Sequence, residues 1–565
     1  MFNSIYNLPS KQLKQLEDSW AGTFHREYFC RIDETPFAKM FSEEPSRPNY
    51  PVNVLVGLDT LKAGFGWSDE ELYENFCFNL QVRYAVGCCD MEEGYFDLRT
   101  LYYHRQRVSQ HMQKTGENLY EQAFEQVTDE QATAFQLKTG KLRMDSTQIA
   151  SNIREMSRLQ LLVEVLQRVH RMLSENDQKC YKDDFEPYLQ GTSGQYVYRI
   201  KGGEAADHLQ PIGGLMHLLV EELRDNYGEE PTYQMLVRVF QEHFTCDDEN
   251  DLRPRKGEEL SAGSLQSPDD WEATYRRKDD EGYRGYVANL TETCDPDNNF
   301  QLINKVQVEP NTTEDADMLL EALPDLKVRT DVKQMHTDGG YGSPDVDEAM
   351  RKAKVEQIQT AVRGRKPAEE KMGLEDFDWE IDEDGRPQEV ICPHGQRVEV
   401  RPGREKHRYL AYFSGAVCQD CPFFDQCPTK HLKRKPRQVL RFSQQETDLA
   451  LRRKRSADMR TSGKNLRAGA ESMMQSVKHR YRNGKLAVRG MSRVTMMFIS
   501  SAAMTNIRRI RGYEEKLREE KRKAKAIQKE TEEAFKNIFR YFCGFLKWLV
   551  PGEKYSKLVP LWLPV

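Results

Sequence analysis

Three carboxylates stand in sequence surroundings that suit the binding of divalent metal ions. Asp145 lies in the run KLRMDSTQIASN, where Leu142 and Met144 alternate with charged residues as in a half-buried strand, and we expect Asp145 near the end of that strand. Asp338 follows a second strand-like run and precedes a Gly-Gly turn, and Glu471 lies in the helical pattern LRAGAESMMQSVKHRY. A single aspartate in such a place often caps a turn through its side-chain oxygen. The prediction of a metal site therefore depends on all three residues together.

The chemistry that these carboxylates predict is phosphoryl transfer. Mg2+ prefers hard oxygen ligands and keeps open positions for phosphate and water, and a pair of ions activates the attacking oxygen and stabilises the leaving one. Arg467, Glu471 and Lys478 are spaced by four and then seven residues, which places them on one face of the predicted helix. The two cations on that face would neutralise phosphate charge beside the carboxylate.

The elements around the two aspartates predict an α/β core with a mixed sheet. Alternation from Arg284 to Leu290 indicates a hairpin strand, and the run LINKVQVEP indicates the next one. A helix capped near Thr313 follows, then the strand that ends at Asp338, and after a second helix a further strand from Val355 to Val362. This order of elements would hold both aspartates on one sheet.

The N-terminal part of the chain predicts a helical domain. Pro51 opens a helix that Gly64 and Gly66 end, and Ser68 caps the next helix with Glu71 in a capping box. The apolar positions of these helices are core. A helix-turn-helix role in DNA recognition is the alternative interpretation, and it depends on four arginines that we expect to be exposed: Arg83, Arg99, Arg105 and Arg107.

A long helical insertion separates the first predicted strand from the second. Leu159, Leu162, Leu166 and Val169 lie on one side of an amphipathic helix, and further helical patterns follow it. The stretch 204–259 is rich in acidic residues, which argues against a direct contact between this insertion and DNA.

A cysteine cluster lies between the predicted sheet and Glu471. Cys418, Cys421 and Cys427 are closely spaced in CQDCPFFDQC, and Cys392 precedes them. Four thiolates meet the tetrahedral requirement of a structural zinc ion. His394 competes with Cys392 for the fourth ligand position, and reduced free thiols are the alternative to a zinc site.

Composition and charge are those of a folded protein with a basic region. The chain has 565 residues, of which 38% are hydrophobic and 31% are charged, and its formal net charge is −7. Between residues 430 and 493, however, 19 lysines and arginines stand against four acidic residues, a local net charge of +15. Such a zone suits a phosphate backbone, with a solvated helix face as the alternative. We expect no signal peptide or membrane helix, and the scattered remaining cysteines fit a reducing cytoplasm.

The order of these motifs resembles that of a known family. Asp145, the run Asp-Gly-Gly-Tyr at Asp338, and the spacing Arg, three residues, Glu, six residues, Lys resemble the DDE transposases of bacterial insertion sequences, and most of all the insertion-sequence four/five-like superfamily. The resemblance runs from about Glu34 to about Arg511. The tyrosine that opens the third family motif would fall at Lys464, so the chain departs from the pattern there.

The resemblance implies a function, a fold and a set of site residues. The function would be cut-and-paste DNA transposition in the bacterial cytoplasm, at the nucleoid. Asp145, Asp338 and Glu471 would hold two Mg2+ ions, which Mn2+ would replace. The partner would be double-stranded DNA with terminal inverted repeats, bound by a homodimer, and no membrane is involved. The residues that would contact DNA are Arg467, Lys478, Arg482, Lys464 and Arg489.

The expected fold is mixed α+β, with a ribonuclease-H-like α/β catalytic core, a helical N-terminal domain, a helical insertion and a small zinc-knuckle-like insert. A catalytically inactive transposase-derived DNA-binding protein, a two-metal nuclease without strand transfer and a zinc-binding scaffold are the alternatives. The expected boundaries are 1–116 for the N-terminal domain, 117–153 with 268–380 and 440–511 for the core, 154–267 for the insertion, 381–439 for the cysteine insert and 512–565 for a charged helix and tail.

Overall fold

The computed structural model describes most of the chain and divides it into two units. The described residues are 4–41, 49–92, 94–201, 203–246, 252–278, 280–364, 370–432, 436–463, 465–481 and 485–549. Lys464 and Arg482, two of the predicted DNA contacts, lie outside them. The first unit is Met1–Asn506 and the second is Ile507–Val565.

The helices and strands are numbered here in chain order. The helices are α1 (Ser10–Glu17), α2 (Trp20–Glu27), α3 (Val52–Phe65), α4 (Asp69–Phe78), α5 (Leu80–Ala85), α6 (Leu98–Thr115), α7 (Leu119–Ala134), α8 (Arg158–Met172), α9 (Glu175–Cys180), α10 (Lys182–Leu189), α11 (Ser193–Tyr198), α12 (Leu209–Glu222), α13 (Arg224–Tyr227), α14 (Pro231–His243), α15 (Asp315–Arg329), α16 (Pro344–Ala353), α17 (Gly415–Gln419), α18 (Gln444–Ser462), α19 (Ala470–Lys478) and α20 (Met491–Leu549). The strands are β1 (Lys141–Ala150), β2 (Phe244–Cys246), β3 (Leu252–Pro254), β4 (Thr274–Lys278), β5 (Glu281–Thr293), β6 (Ile303–Pro310), β7 (Gln334–Thr337), β8 (Glu356–Gln359), β9 (Asp378–Ile381), β10 (Pro387–Ile391), β11 (Arg397–Pro402), β12 (Arg408–Ser414), β13 (Lys430–His431) and β14 (Arg437–Ser443).

The first sheet is mixed, as the sequence predicts. Its strands follow the order β4-β5-β1-β7-β8, and β6 also pairs with β5. β1 pairs antiparallel with β5 and parallel with β7, and β7 pairs parallel with β8. Leu142 and Met144 of β1 are fully buried and pack with side chains of α15 and α16 in one core. The sheet therefore brings β1 and β7, the strands next to the two aspartates, side by side.

The N-terminal helices confirm the local signals but correct the expected arginine surface. Pro51 precedes α3, Gly66 ends it with a φ of 74°, and the Ser68 capping box is formed. Two of the four arginines are not exposed. Arg83 is fully buried and donates to the carbonyl of Asp90, and Arg105 binds two carboxylates, those of Asp59 and Asp69. Both guanidiniums therefore serve acceptors within the domain, since buried carbonyl and carboxylate groups need donors.

The helical insertion has a hydrophobic core of its own. α8 confirms the predicted amphipathic helix, and it packs against α10, α11, α12 and α14. Leu162, Leu166 and Val169 are fully buried there, together with side chains from α12 and α14. The short hairpin β2–β3 follows α14, and the chain then returns to the first sheet at β4.

The region of the cysteine cluster forms a second sheet, where we expected only a small knuckle. Six antiparallel strands follow the order β13-β14-β12-β11-β10-β9. Phe377, Val390, Phe413 and Phe442 are buried in a core that the partly buried Cys392, Cys418 and Cys427 contact. The prediction of a small zinc-knuckle-like insert is therefore wrong about the size of this region. The sequence conceals the sheet because each strand is short and carries charged residues on its exposed face, which hides the alternation of apolar residues.

The helix predicted around Glu471 is in fact two elements. Leu466–Gly469 is a 3-10 helix, and α19 begins only at Ala470. Since a 3-10 helix has three residues per turn, the shared helical face predicted for Arg467 and Glu471 does not apply.

α20 begins at Met491, and its part up to Asn506 belongs to the first unit, where Val494 and Phe498 are fully buried. In the second unit, oppositely charged residues of the helix pair one turn apart, as in Arg511 with Glu515. None of the helices that the structure describes is both long enough and apolar enough to span a membrane.

Candidate active site

Asp145 lies in the middle of β1 rather than near its end, and Arg467 reaches it from the 3-10 helix. Asp145 is 8% exposed, and its Oδ1 accepts hydrogen bonds from Nη2 of Arg467 at 3.0 Å and from the Ser146 amide at 3.1 Å. Burial raises the pKa of Asp145 above its ordinary range, Arg467 opposes this, and the nearby Asp338 carboxylate adds to it. Because the pKa of Asp145 is raised overall, burial and the Asp338 carboxylate outweigh the ion pair with Arg467.

Arg143 positions Arg467. Nη1 of Arg143 in β1 donates to the carbonyl of Leu466 at 2.8 Å, and its Nε donates to the buried Glu292 of β5 at 2.6 Å. A Cβ on Gly469 would lie 2.2 Å from Nη1 of Arg143, so a larger residue here would displace this guanidinium from its present position. β1 thus carries both Asp145 and the arginine that fixes its cationic neighbour.

Asp338 follows β7 and caps the 3-10 helix Gly339–Tyr341. Its Oδ1 accepts from the Gly340 amide at 2.7 Å, and its Oδ2 lies 3.9 Å from Nη2 of Arg467. The same guanidinium nitrogen therefore stands within ion-pair distance of both predicted catalytic aspartates. The side chain of Asp338 is 37% exposed, against 11% for that of Asp145, so the site opens to solvent on the Asp338 side.

A third aspartate, Asp315, belongs to this cluster, and the sequence analysis missed it. A Cβ on Gly340 would lie 2.5 Å from Oδ2 of Asp315 and 2.9 Å from Oδ1 of Asp338, so both carboxylates flank this glycine. Burial raises the pKa of Asp315, a hydrogen bond from Ser146 opposes this, and the Asp338 carboxylate adds to it. Asp315 opens α15, and its acidic first turn resembles many helix starts, so only the three-dimensional neighbourhood distinguishes it.

Glu471 and Lys478 lie on α19, which packs against β1. Glu471 is in the first turn, and its side chain is exposed. Nζ of Lys478 donates to Oγ1 of Thr147 at 3.0 Å and to the carbonyl of Gln148 at 2.9 Å, and burial lowers its pKa. The predicted DNA contact at Lys478 thus attaches α19 to the strand that carries Asp145.

The remaining predicted DNA contact that can be placed is Arg489. Its Nε donates to the carbonyl of Asn152 at 2.6 Å, and Nη1 lies 3.6 Å from Oδ2 of Asp269. The side chain is still 46% exposed.

The described residues do not form a ready metal site. In that part of the chain, no three His, Cys, Asp or Glu side chains are close enough together to hold one ion. Asp145 and Asp338 nevertheless fit one side of a cation site, because a single positively charged nitrogen already lies between them. Glu471 does not complete it in this arrangement.

The four predicted zinc ligands surround one small cavity. Cys392, Cys418, Cys421 and Cys427 all line a space of about 20 Å³, room for one water-sized occupant. Burial raises the pKa of the Cys418 thiol, a hydrogen bond from Gln396 opposes this, and the other three cysteines add to it. The four thiols therefore match zinc in chemical type and line one cavity, but no three of them are close enough together in the described structure to hold an ion. His394 lines the same cavity and is exposed.

One comparison with known proteins found a similarity, in the C-terminal part of the chain. The carboxylates lie close together where β1 and β7 adjoin in the mixed sheet. Such a cluster suits an enzyme that transfers phosphoryl groups of nucleic acids. Residues 391–511 match the family model described as a transposase DDE domain, a stretch that includes the cysteines, Arg467 and Glu471. The match confirms the resemblance to DDE transposases and supports a transposase-type function. No curated protein and no solved structure gave a match.

Proposed function

We propose that the chain is a DNA transposase that cleaves and joins strands at the ends of an insertion sequence, through Asp145, Asp338 and Glu471. The main support for this proposal is the position of two of these carboxylates. Asp145 and Asp338 are distant in sequence, yet both carboxylates lie within 3.9 Å of one nitrogen of Arg467. A metal-dependent phosphoryl transferase needs carboxylates that are close enough together to bind the same metal ion. In this structure the guanidinium of Arg467 occupies the corresponding place between the two carboxylates.

The sheet supports a ribonuclease-H-like core. A central β1 with an antiparallel neighbour on one side and two parallel strands on the other is the topology expected of that core. Asp338 directly follows β7, and α19, whose first turn contains Glu471, packs against β1. All three carboxylates therefore lie on β1 or on segments next to it. We retain the domain boundaries given above as part of this proposal, with the cysteine region enlarged to the second sheet.

Asp145, Asp338 and Glu471 would hold Mg2+ or Mn2+. When bound, the ions would supply charge that stabilises the attacking and leaving oxygens of a phosphodiester. The side chains themselves have separate tasks. The buried Asp145 supplies a fixed acceptor, the more exposed Asp338 faces the substrate, and Arg467 keeps the two carboxylates from repelling each other before substrate arrives. Glu471 must approach from the exposed first turn of α19.

The substrate would be double-stranded DNA with terminal inverted repeats, held by a homodimer in the bacterial cytoplasm. The basic zone 430–493 supplies the charge for the phosphate backbone. Lys478, attached to β1, would act by positioning α19 beside Asp145, whereas the half-exposed Arg489 remains free to contact phosphate on one side. Zinc held by the four cysteines would stabilise the second sheet.

The experiment is cleavage of a plasmid that carries the DNA flanking the gene, with Mg2+ or Mn2+ and the full chain. Asp145→Asn, Asp338→Asn and Glu471→Gln are each expected to reduce cleavage at least about a thousandfold, on the scale of removing one essential electrostatic group. DNA-end binding in a gel-shift assay should stay within a few-fold. Asp458→Asn, an exposed carboxylate on α18, is the matched control and should cleave normally.

Other outcomes separate the alternatives. Cleavage without joining would identify a nuclease. End binding without cleavage by the unaltered chain would identify an inactive derivative. Cleavage that survives Asp145→Asn would refute the assignment of that residue, and cleavage lost together with binding would point to a folding defect.

A further inference from the structure

A large cavity separates the helical insertion from the edge of the first sheet. Its volume is about 780 Å³, within the range of roughly 300–1,000 Å³ that small-molecule sites occupy. The beginning of α8, the end of α14 and the loop 257–266 form one side, and β4, β5 and the turn before α15 form the other. None of the predicted catalytic residues lines it, so it is a separate feature of the fold.

Positive charge dominates the lining of this cavity. Arg158, Arg276, Arg277 and Arg284 line it, against the single carboxylate of Glu314 among its described lining residues. This concentration lies beside an insertion whose sequence is rich in acidic residues, so the charge of the cavity does not simply follow that of the surrounding surface. Three of these arginines already face a carboxylate: Arg276 lies 3.8 Å from Glu314, Arg277 lies 2.8 Å from Asp280, and Arg284 lies 3.5 Å from Glu155. The charge that favours an anionic ligand is therefore mainly that of Arg158.

Arg158 is held without a counterion. Its Nη1 donates to the carbonyl of Arg255 at 2.6 Å and its Nη2 to the carbonyl of His243 at 2.7 Å. Within the described residues it forms no ion pair with a carboxylate, and its buried Nε has no hydrogen-bond partner. Two backbone carbonyls orient this guanidinium but leave its charge uncompensated, which is costly in a partly buried position unless an anion is present at least part of the time.

Several other buried polar atoms around the cavity also lack partners. His243 is 4% exposed, Ser264 is 4% exposed and Asn311 is fully buried. Within the described structure, four buried atoms of these residues form no hydrogen bond: both ring nitrogens of His243, Oγ of Ser264 and Oδ1 of Asn311. Because nearly all buried polar groups in folded proteins are satisfied by protein, water or ligand, these atoms give the cavity a polar lining that a hydrogen-bonding ligand can use.

The chemistry of the lining identifies the class of that molecule. Guanidinium groups match phosphate oxygens in a planar, two-pronged geometry. Tyr275 adds an aromatic ring, over which the guanidinium of Arg284 lies at 5.7 Å from the ring centre, and such a pair suits a flat base. A DNA duplex is too wide for the cavity. We propose that this cavity binds a phosphate-bearing ligand of the size of a single nucleotide, either a free nucleotide or the end of a DNA strand.

Calorimetric titration of the full chain with ATP tests the proposal. The unaltered chain should bind ATP saturably, and inorganic phosphate should bind at least tenfold more weakly because it lacks the base. Arg158→Gln should weaken ATP binding at least tenfold, and Arg277→Gln, which changes an exposed rim residue, should weaken it several-fold. Arg171→Gln is the matched control, since Arg171 lies on the same helix with a side chain that is 62% exposed, and it should bind like the unaltered chain.

A 5′-phosphorylated oligonucleotide of ten residues then distinguishes the two sources. Displacement of ATP by the oligonucleotide would assign the cavity to a strand end, and retention of ATP while the oligonucleotide binds elsewhere would assign it to a free nucleotide. Absence of saturable ATP binding, or equal affinities for the unaltered chain and both arginine variants, would overturn the proposal.

A second variant guards against a folding effect at Arg158. His243→Leu removes two unpartnered nitrogens while keeping a side chain of similar size, so its thermal midpoint at pH 7 should not fall. If the cavity is a ligand site, this variant should nevertheless bind ATP several-fold more weakly. A variant that is as stable as the unaltered chain and binds ATP equally well would show that His243 serves packing alone, and would count against the proposed site.

Discussion

His243 should make the stability of the helical insertion depend on pH in a way that one substitution removes. The histidine ends α14, it is 4% exposed, and burial lowers its pKa to about 4, with the nearby charge of Arg158 acting in the same direction. An unfolded histidine titrates near 6.5. The unfolded chain therefore binds a proton at a pH where the folded chain does not, and stability falls as the solution becomes more acidic.

The size of the effect follows from the separation of the two pKa values. The stabilising contribution is complete above about pH 6.5 and is lost progressively down to about pH 4. At pH 5 the loss is about 2 kcal/mol, and near pH 4 it approaches about 3 kcal/mol, at about 1.4 kcal/mol for each unit of pKa difference. His243→Leu removes the titrating group, so the difference between the two proteins should grow by these amounts as the pH falls.

Hydrogen exchange followed by mass spectrometry is the suitable assay, because a chain of this size does not unfold in a single step. Opening free energies would be measured at pH 7 and pH 5, corrected for intrinsic exchange rates, for peptides from α8 and α14. His431→Leu is the control, since His431 is exposed and the same substitution there should leave the difference unchanged. Equal pH dependence in the unaltered chain and the His243 variant would refute the reasoning.

Three further predictions concern the core, the cysteines and the candidate active site. Lys305→Met should destabilise the first unit by about 3 kcal/mol, because Lys305 is only 8% exposed and pairs with Glu121, Glu125 and Asp325, of which Arg329 also pairs with the last two. An unchanged thermal midpoint would contradict this. Cys418→Ser should remove zinc from the purified chain, measured by elemental mass spectrometry, and should increase proteolysis within 378–443, whereas a zinc-free unaltered chain would exclude the site. Tyr341→Phe should cost about 1–3 kcal/mol, measured by thermal unfolding, since the buried hydroxyl donates to Oδ1 of Asn289 at 2.7 Å; a neutral result would mean that this hydrogen bond contributes no net stability.

Local signals in the sequence predicted local structure well. The capping box at Ser68, the left-handed end of a helix at Gly66 and the amphipathic face of α8 are all present. Each depends on residues within one or two helical turns of one another, so the sequence alone contains the whole interaction. The strands β5, β6 and β8 were also found, because their apolar runs are bounded by polar turns.

Interactions between distant residues account for what the sequence did not reveal. Arg467 meets Asp145 across 322 positions, and no periodic pattern relates them. Asp315 joins the carboxylate cluster only because the turn at Gly340 carries Asp338 toward the beginning of α15. Arg83 and Arg105 look like surface cations in the sequence, yet carbonyl and carboxylate acceptors elsewhere in the domain bury them. The assignment of Asp145, Asp338 and Glu471 to the catalytic set stays a prediction.

The position of the helical insertion has a consequence for the order in which the chain folds. Oγ of Ser151 donates to Oδ2 of Asp270 at 2.5 Å, so the intervening segment returns to the point where it left the sheet. A segment with its own core closes such a loop at little entropic cost. During synthesis, however, both strands that pair with β1 emerge after the insertion. At a translation rate of about 5–20 residues per second, β1 waits roughly ten seconds without a partner. During this interval β1, the strand that carries Asp145, has unpaired backbone groups on both sides and is open to wrong strand pairing.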